Sequence, residues 1–380
     1  MIPFGRDRFE RAARERGADV VMATSRHNVA YLTGGYYNAF FARDQRFGAG
    51  QYLSAVTVPV AAIESAWYIG RESERDFLDA FGPLWIADVQ SAPRRPNMTV
   101  EVAAKAAALL RTRDLAAGTI AVELPFLPAD AFTVLRRELP AATFIDATPI
   151  LAEVRAVKRP DELERLAAAH RGVAEAIRAT FAAGRADDTM RAVAETMERN
   201  IEARGATYLY ALTNVGPGLT RAGTSERWGL GRPLHIDAGA EVDGYRADVA
   251  RMGSIGEPPA RALEMFQACV AAQGHIRGRL GPGVACGDLW RIGTDALAAG
   301  PLGAFGKFQA HGIGLVSHEP PEVTQESTCV LEPGMAVSVE TDYLDPDIGH
   351  IKLEDSVVVT SMGCEGLGDA HREWCTVGGA

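Results

Sequence analysis

The sequence contains no run of about 18 apolar residues, and its first nine residues carry three charges in place of an apolar segment. A membrane-spanning helix needs about 20 predominantly apolar residues, and a secretory signal needs a shorter apolar core. Because neither is found, we expect a soluble cytoplasmic protein and exclude an integral membrane protein.

Cysteine and positive charge are also scarce. The five cysteines form no CxxC pair, and without an export signal we expect them to be free thiols. The 39 Lys and Arg residues are outnumbered by 49 Asp and Glu residues, for a net charge of −10. This balance offers no basic patch, so neither nucleic acid nor a membrane is expected as a partner.

The length and apolar content predict two domains. A chain of 380 residues exceeds what one hydrophobic core usually serves, and 47% apolar residues are enough for two cores. Strands and helices alternate through residues 1–155, which predicts a small α/β domain. Residues 156–380 predict an α+β domain in which helices (161–183, 188–204, 259–280 and 287–299) back a curved antiparallel sheet (208–214, 234–242, 245–254 and after 335).

Five residues of the second domain have the types needed to bind metal ions, and each lies in or beside a predicted strand. Two apolar segments joined by Asp243 and Gly244 predict a hairpin that would bring two aspartates together, and a second hairpin around residues 345–347 would do the same for two glutamates. The candidates, separated by 11, 63, 29 and 14 residues, are Asp237, Asp248, His311, Glu340 and Glu354.

Four carboxylates that converge in a buried place repel one another by several kcal/mol unless cations neutralise them. A cluster of this kind therefore predicts bound metal. Oxygen ligands with one imidazole suit Mn, Co, Fe or Zn better than copper or a thiolate site.

Four motifs occur in a recognisable order in this region. They begin at His235 (HIDAGAEVDGYRADVAR), His311 (HGIGLVSHEPP), Leu331 (LEPGM) and Lys352 (KLED). Together they resemble the pita-bread metallopeptidases, which include prolidase, aminopeptidase P, methionine aminopeptidase and creatinase, a relative without metal. The resemblance covers residues 160–360 closely. Residues 25–34 and 154–163 are similar to the amino-terminal domain and linker of the creatinase and prolidase branch.

The resemblance implies an α+β fold, with a C-terminal pita-bread domain (156–380) preceded by a smaller α/β creatinase-type domain (1–155). It also implies two divalent metal ions. Asp237 would chelate one ion, His311 and Glu340 would bind the other, and Asp248 and Glu354 would bridge both. Glu340 would act as general base, and His318 would donate a hydrogen bond to the oxyanion.

Several residues depart from the peptidase pattern. Residues 172–234 contain no histidine, although family peptidases carry one in this region that contacts the substrate. Lys352 stands where prolidases usually have arginine, so a substrate carboxylate would be bound differently. His235 shares a face with Asp237 and is either a compensating catalytic residue or a buried histidine bonded to the backbone. Arg251 is expected to pair with a ligand carboxylate.

These features predict a metal-dependent hydrolase of the Xaa-Pro peptidase type, in which metal-activated water attacks a C–N bond of a small substrate or short peptide. A non-peptidase of the same fold, similar to ectoine hydrolase or dimethylsulfoniopropionate lyase, is the alternative, and a catalytically silent binding protein is a third. By resemblance the chain forms a homodimer, in which the aromatic segment 34–43 caps the partner's active site or packs at a domain interface.

Overall fold

The computed structural model describes residues 2–38, 52–300 and 302–378. It contains two compact units, Met1–Arg155 and Ala156–Ala380. Among the helices of the described residues, none combines the length and apolar character that a membrane crossing requires.

The first unit is built on a six-stranded sheet with the strand order β4-β3-β2-β1-β5-β6. β1 pairs in parallel with β5 and antiparallel with β2, so the sheet is mixed. Its strands are β1 (Val20–Ala23), β2 (Ala55–Pro59), β3 (Trp67–Arg71), β4 (Asp88–Ala92), β5 (Thr119–Val122) and β6 (Thr143–Asp146). Its helices are α1 (Arg6–Glu15), α2 (Arg26–Thr33), α3 (Arg75–Phe81), α4 (Met98–Thr112), α5 (Ala129–Glu138) and α6 (Thr148–Ala156).

The second unit contains a nine-stranded sheet whose main path runs β11-β10-β12-β13-β9-β8-β7, with β14 on β13 and β15 on β9. The strands are β7 (Thr207–Val215), β8 (Leu234–Val242), β9 (Tyr245–Ile255), β10 (Gly306–Gly312), β11 (Glu319–Glu322), β12 (Ala336–Asp345), β13 (Gly349–Val359), β14 (Cys364–Gly366) and β15 (Cys375–Val377). The helices are α7 (Pro160–Ala183), α8 (Met190–Glu202), α9 (Ala260–Arg277) and α10 (Cys286–Ala298).

Helices cover one face of this second sheet and leave the other for polar side chains. α7 and α8 share a hydrophobic core with Ile236, Ala238 and Val249, while α9 and α10 pack on residues such as Val339 and Leu353. Because side chains alternate along a strand, residues next to these core positions point to the opposite face. Four candidate ligands lie next to core positions and therefore point to the face without helices: Asp237, Asp248, Glu340 and Glu354.

The hairpin between β8 and β9 has the turn that the sequence predicts. Val242 pairs with Tyr245, so the loop consists of two residues. Asp243 and Gly244 both have positive φ, at 50° and 86°. Asp-Gly is a favoured sequence for such a turn because its twist matches that of the strands. The tight loop fixes the register of the two strands that carry Asp237 and Asp248.

Most predicted elements are confirmed, with ends that differ by a few residues. The prediction missed α2, α3, α6, β4 and β11 and gave no bounds for β10. It began β2 at Gln51, which lies outside the described residues. Helix α2 is short and is held by Glu123, whose carboxylate accepts hydrogen bonds from the Ser25 hydroxyl at 2.6 Å and the Asn28 amide at 2.6 Å. No local pattern reveals such a long-range anchor.

His170 on α7 makes the stability of the second unit depend on pH. Its Nδ1 donates to the Leu166 carbonyl at 2.7 Å and its Nε2 accepts from the Ser356 hydroxyl at 2.8 Å. Burial lowers the pKa of His170 from 6.5 to about 4. A histidine whose pKa is lower in the folded state stabilises the fold above its unfolded pKa of 6.5 and loses this contribution as the pH falls towards 4.

We therefore predict that the wild type loses more stability on acidification than His170→Gln does. The gap between the two pKa values corresponds to roughly 3 kcal/mol. Urea unfolding of both proteins without metal, between pH 7.5 and 4, measures the difference. Parallel curves for the two proteins would contradict a buried neutral histidine.

Candidate metal centre

The register of the sheet places three of the five predicted ligands and two further residues in one order across the strands. Gln309 pairs with Glu340, Glu340 with Glu354, Glu354 with Ala250, and Ala250 with Asp237. Residues opposite each other on paired strands share a face. These five residues therefore form one continuous line of side chains, which we call the acidic row.

The remaining two ligands lie one step along the strands on the same face. His311 pairs with Ser338 on β12, and Asp248 pairs with Gly239 on β8. The Ser338 hydroxyl donates to Glu354 at 2.8 Å. The structure thus brings together all five residues that the sequence singles out.

Three of these residues surround one point. Asp248, His311 and Glu354 each offer a ligand atom, and these atoms lie within 4.8 Å of one another. Oδ1 of Asp248 and Nε2 of His311 are buried and have no hydrogen-bond partner among the described residues. The other ring nitrogen of His311 bonds to the Gly312 carbonyl at 3.1 Å, which leaves the Nε2 lone pair for the cluster. Buried atoms without partners are costly, so this arrangement fits a cation.

A lysine occupies the other side of the cluster. Nζ of Lys352 lies 2.8 Å from Asp237 Oδ2, 2.7 Å from Glu340 Oε2 and 2.7 Å from Glu354 Oε2. The Lys352 side chain is only 3% exposed. Three ligand residues therefore already contact the Lys352 ammonium, the group that a substrate carboxylate would need.

The charges shift the pKa values of the ligands in opposite directions. Burial, and then the charges of Glu354 and Asp237, raise the pKa of Asp248 well above its usual range. Burial and the charge of Glu340 raise the pKa of Glu354 to about 7, against the pull of Lys352. Burial would also raise the pKa of Glu340, but Lys352 and His311 outweigh it and lower that pKa. Without metal, protons compensate part of the negative charge.

Lysine 352 itself is held in its charged form. Burial disfavours the ammonium, but the charges of Glu354, Asp237 and Glu340 prevail and raise the pKa of Lys352 well above its usual value. Lys352 is thus a permanent cation in the cluster.

His318 lies against the cluster, as the spacing from His311 implies. Its ring stacks on the His311 ring, with centroids 3.8 Å apart and planes 20° apart. Burial and the neighbouring His311 lower the pKa of His318. A neutral imidazole in this position can donate a hydrogen bond to an atom in the adjoining cavity.

That cavity has a volume of about 950 Å³ and lies over the acidic row. Its lining combines polar groups such as Arg221 and His318 with the apolar side chains of Leu212, Trp290 and Phe308. Small-molecule sites commonly have this size and this mixture.

Two predicted residues lie elsewhere. His235 shares the face of Asp237 but does not line the cavity. Its ring packs on His350, with centroids 4.6 Å apart, and neither nitrogen has a hydrogen-bond partner within the part of the chain that the structure describes. His235 is therefore buried, but it lacks the backbone hydrogen bond that one of the two alternatives predicted for it. Burial lowers the pKa of His235 well below its usual value, so the ring stays neutral.

Arg251 was expected to pair with a ligand carboxylate, and this was also wrong. Its Nη1 donates to the backbone carbonyl of Glu354 at 2.7 Å, and its Nη2 bonds to Asp355 at 2.6 Å. Side chains alternate along each strand. Asp355 directly follows the ligand Glu354, and Arg251 pairs with the core residue Ile236, so both side chains lie on the face away from the ligands. Arg251 therefore braces the strand that carries Glu354.

Sequence reasoning missed three side chains at the site. Nη2 of Arg221 bonds to Asp237 Oδ2 at 2.6 Å, Gln309 donates to Glu340 at 3.3 Å, and the Tyr210 hydroxyl bonds to Asp248. A Cβ at Gly239 would lie 2.4 Å from the Tyr210 ring, so this glycine makes room for it. Pairing of β7 with β8 could have indicated Tyr210, but Arg221 lies in an irregular loop with no predictive signal.

We predict that Asp248→Ala loses bound metal and turnover together, because it removes an unpartnered ligand oxygen. Asp243→Asn, in the turn of the same hairpin, is the control and should retain both. Metal per chain after dialysis and the rate of substrate hydrolysis are the two measurements. An Asp248→Ala protein that retains metal and activity would rule out its role as a ligand.

Comparison with known proteins agrees with this geometry. Residues 164–361 match the family model described as Metallopeptidase family M24, and residues 6–157 match that described as Creatinase/Prolidase N-terminal domain. An uncharacterised peptidase from Bacillus subtilis is 33% identical over 129 residues, which are 34% of this chain and 36% of that protein. The chain thus matches about a third of that relative's length.

Other relatives are matched over more of their length. The Xaa-Pro dipeptidase of Pyrococcus horikoshii is 25% identical over 253 residues, 65% of this chain and 72% of that protein. A solved Xaa-Pro dipeptidase structure from Bacillus anthracis has a TM-score of 0.81 at 22% identity and covers 98% of this chain and 99% of that chain. The structural likeness confirms the predicted architecture, with a pita-bread fold preceded by a creatinase-type domain.

Proposed function

The chain belongs to metallopeptidase family M24, whose model matches more than half of it, and as a metal-dependent hydrolase of this family we propose that it cleaves the C–N bond of Xaa-Pro dipeptides or similarly small peptides. The observation that carries the proposal is the buried cluster of Asp248, His311 and Glu354, whose ligand atoms face one point. Relatives named Xaa-Pro dipeptidase support the substrate class.

Asp248, His311 and Glu354 would hold a divalent ion, with Glu340 beside them. Bound there, the ion would supply a water of lowered pKa and polarise the carbonyl under attack. Oxygen ligands with one imidazole favour Mn, Co, Fe or Zn, and manganese is our first choice. The resemblance implies two such ions.

Glu340 is placed to accept the proton of the attacking water. Its Oε1 lies 3.3 Å from His311 Nε2, while its Oε2 is held by Lys352 and Gln309. The lowered pKa of Glu340 keeps it ionised and therefore able to accept a proton. His318 would donate to the carbonyl oxygen as negative charge develops on it.

Substrate binding would use the cavity over the acidic row. The apolar side chains of Leu212, Trp290 and Phe308 suit a proline ring, and the Arg221 guanidinium suits a carboxylate. Arg221 is in the region where family peptidases carry a histidine, and about a third of its side chain is exposed. We propose that Arg221 takes over part of the substrate contact of that missing histidine.

The alternatives receive less support. The named relatives do not favour a substrate like that of ectoine hydrolase or of dimethylsulfoniopropionate lyase. A silent binding protein would not need buried, unpartnered ligand atoms such as Asp248 Oδ1 and His311 Nε2. Homodimer formation and a cytoplasmic location remain predictions, and of the aromatic segment 34–43, residues 39–43 lie outside the described residues.

The decisive experiment compares substrates on protein loaded with Mn²⁺ or Co²⁺. We predict that Xaa-Pro dipeptides are hydrolysed, and that dipeptides without proline and a panel of small amides and sulfonium compounds are poorer substrates. Chelation should abolish hydrolysis, and added metal should restore it. Turnover of an amide or sulfonium compound with no cleavage of any dipeptide would overturn the peptidase proposal.

A second prediction concerns His318. His318→Ala should lower kcat by about 10²- to 10³-fold, the usual cost of losing one oxyanion donor, with bound metal unchanged. Steady-state kinetics and metal analysis on the same sample test it. A wild-type kcat in the variant would remove His318 from the catalytic residues, whereas loss of metal would show that its role is to support His311.

A further inference from the structure

The Lys352 ammonium lies among three carboxylates that the family resemblance assigns to metal binding. An ammonium group has three N–H donors, and Nζ lies within 2.8 Å of three carboxylates, those of Asp237, Glu340 and Glu354. All three contacts are ion pairs, and the one with Asp237 Oδ2 is also a hydrogen bond. These contacts keep the buried ammonium between the carboxylates.

We propose that Lys352 replaces one of the two metal ions implied by the family resemblance, so that this chain binds a single divalent ion at Asp248, His311 and Glu354. The inference rests on the proposed metal-dependent function and specifies its metal centre. Lys352 then acts as a positioning residue that holds the ligand carboxylates and Glu340 in place.

The charges of the cluster agree with one ion. The cluster contains four carboxylates, those of Asp237, Asp248, Glu340 and Glu354, and His311 contributes no charge when its Nε2 lone pair binds metal. Lys352 and Arg221 both contact Asp237 Oδ2 and bring two positive charges. Two negative charges are left over, which is the charge that one divalent ion neutralises. A second ion would make the buried site positive.

The ligand atoms on the two sides of the cluster differ in their contacts with cationic side chains. Asp248 Oδ1 has no hydrogen-bond partner among the described residues, and the contact of His311 Nε2 is with a carboxylate oxygen, Glu340 Oε1, at 3.3 Å. Asp237 Oδ2, in contrast, has two cationic partners at 2.6 and 2.8 Å. A metal ion that bound Asp237 through this oxygen would meet two positive groups within a few ångströms, in an interior where charges are weakly screened.

Position in the sheet explains how the lysine reaches the cluster. Lys352 pairs with Asp342 on β12, one step along the strands from the acidic row, and shares its face. Lysine has a flexible four-carbon stem and a compact charge, so its ammonium can extend into the space between the carboxylates. The flat guanidinium of arginine would not present three donors around a point in the same way.

The experiment counts ions on the full-length chain. Metal is removed by chelation, the protein is titrated with Mn²⁺, and bound manganese per chain is measured after gel filtration. We expect one ion for the wild type and two for Lys352→Ala, in which both the charge and the side-chain volume are removed. Lys307→Ala is the matched control and should bind one, because Lys307 lies in the same cross-strand line through Asp342 but is exposed.

A spectroscopic measurement on the wild type avoids dependence on how the variant folds. Electron paramagnetic resonance should show the six-line signal of isolated Mn²⁺ at saturation. The spectrum of a spin-coupled manganese pair, or two ions per chain in the wild type, would overturn the proposal. A folded Lys352→Ala protein that still binds one ion would overturn it as well, because something other than the ammonium would then exclude the second.

Hydrolysis measured on the same samples separates this inference from the proposed function. One ion together with dipeptide cleavage supports both. Two ions with cleavage overturn the inference alone, and one ion without cleavage of any substrate overturns the proposed function alone. Failure to bind Mn²⁺ at all would overturn both.

Discussion

Repulsion among buried carboxylates is the constraint that shapes the second unit. Asp237, Asp248, Glu340 and Glu354 share one face of a sheet, and none of them is more than 6% exposed. Such groups stay ionised together only if cations compensate them. The helices behind the sheet keep its strands in place, so the carboxylates cannot move apart to relieve the repulsion.

Compensation comes from two different sources. Lys352 and Arg221 are part of the chain and neutralise the Asp237 side of the cluster at all times. The side formed by Asp248 and His311 keeps unpartnered ligand atoms and depends on an ion from solution. Glu340 lies between the two, close to Lys352 and to His311. This position suits a residue that must remain ionised while a water molecule beside it loses a proton.

The sequence allowed much of this arrangement to be predicted, since the signals involved are local. Two hairpins, one with the Asp243-Gly244 turn, pair Asp237 with the strand of Asp248 and Glu340 with Glu354. The contact between the hairpins, where Glu354 meets Ala250, depends on the tertiary fold, and only the family resemblance could supply it. The contacts of Lys352 depend on its side-chain conformation, and the position of Arg221 depends on an irregular loop. Residue spacing encodes neither. His235 was predicted on the correct face, but spacing could not tell that its neighbour would be another histidine.

The way the ligands are distributed over the sheet has a further consequence. Each of the five lies on a different strand, from β8 to β13, and the two hairpins and β10 bring all five together only after the whole sheet has assembled. An ion that binds only the assembled sheet stabilises it by mass action. Scarcity of that ion would leave more of the chain open to proteases at any moment. The abundance of this protein in a cell would then follow the supply of metal, even where its synthesis is constant.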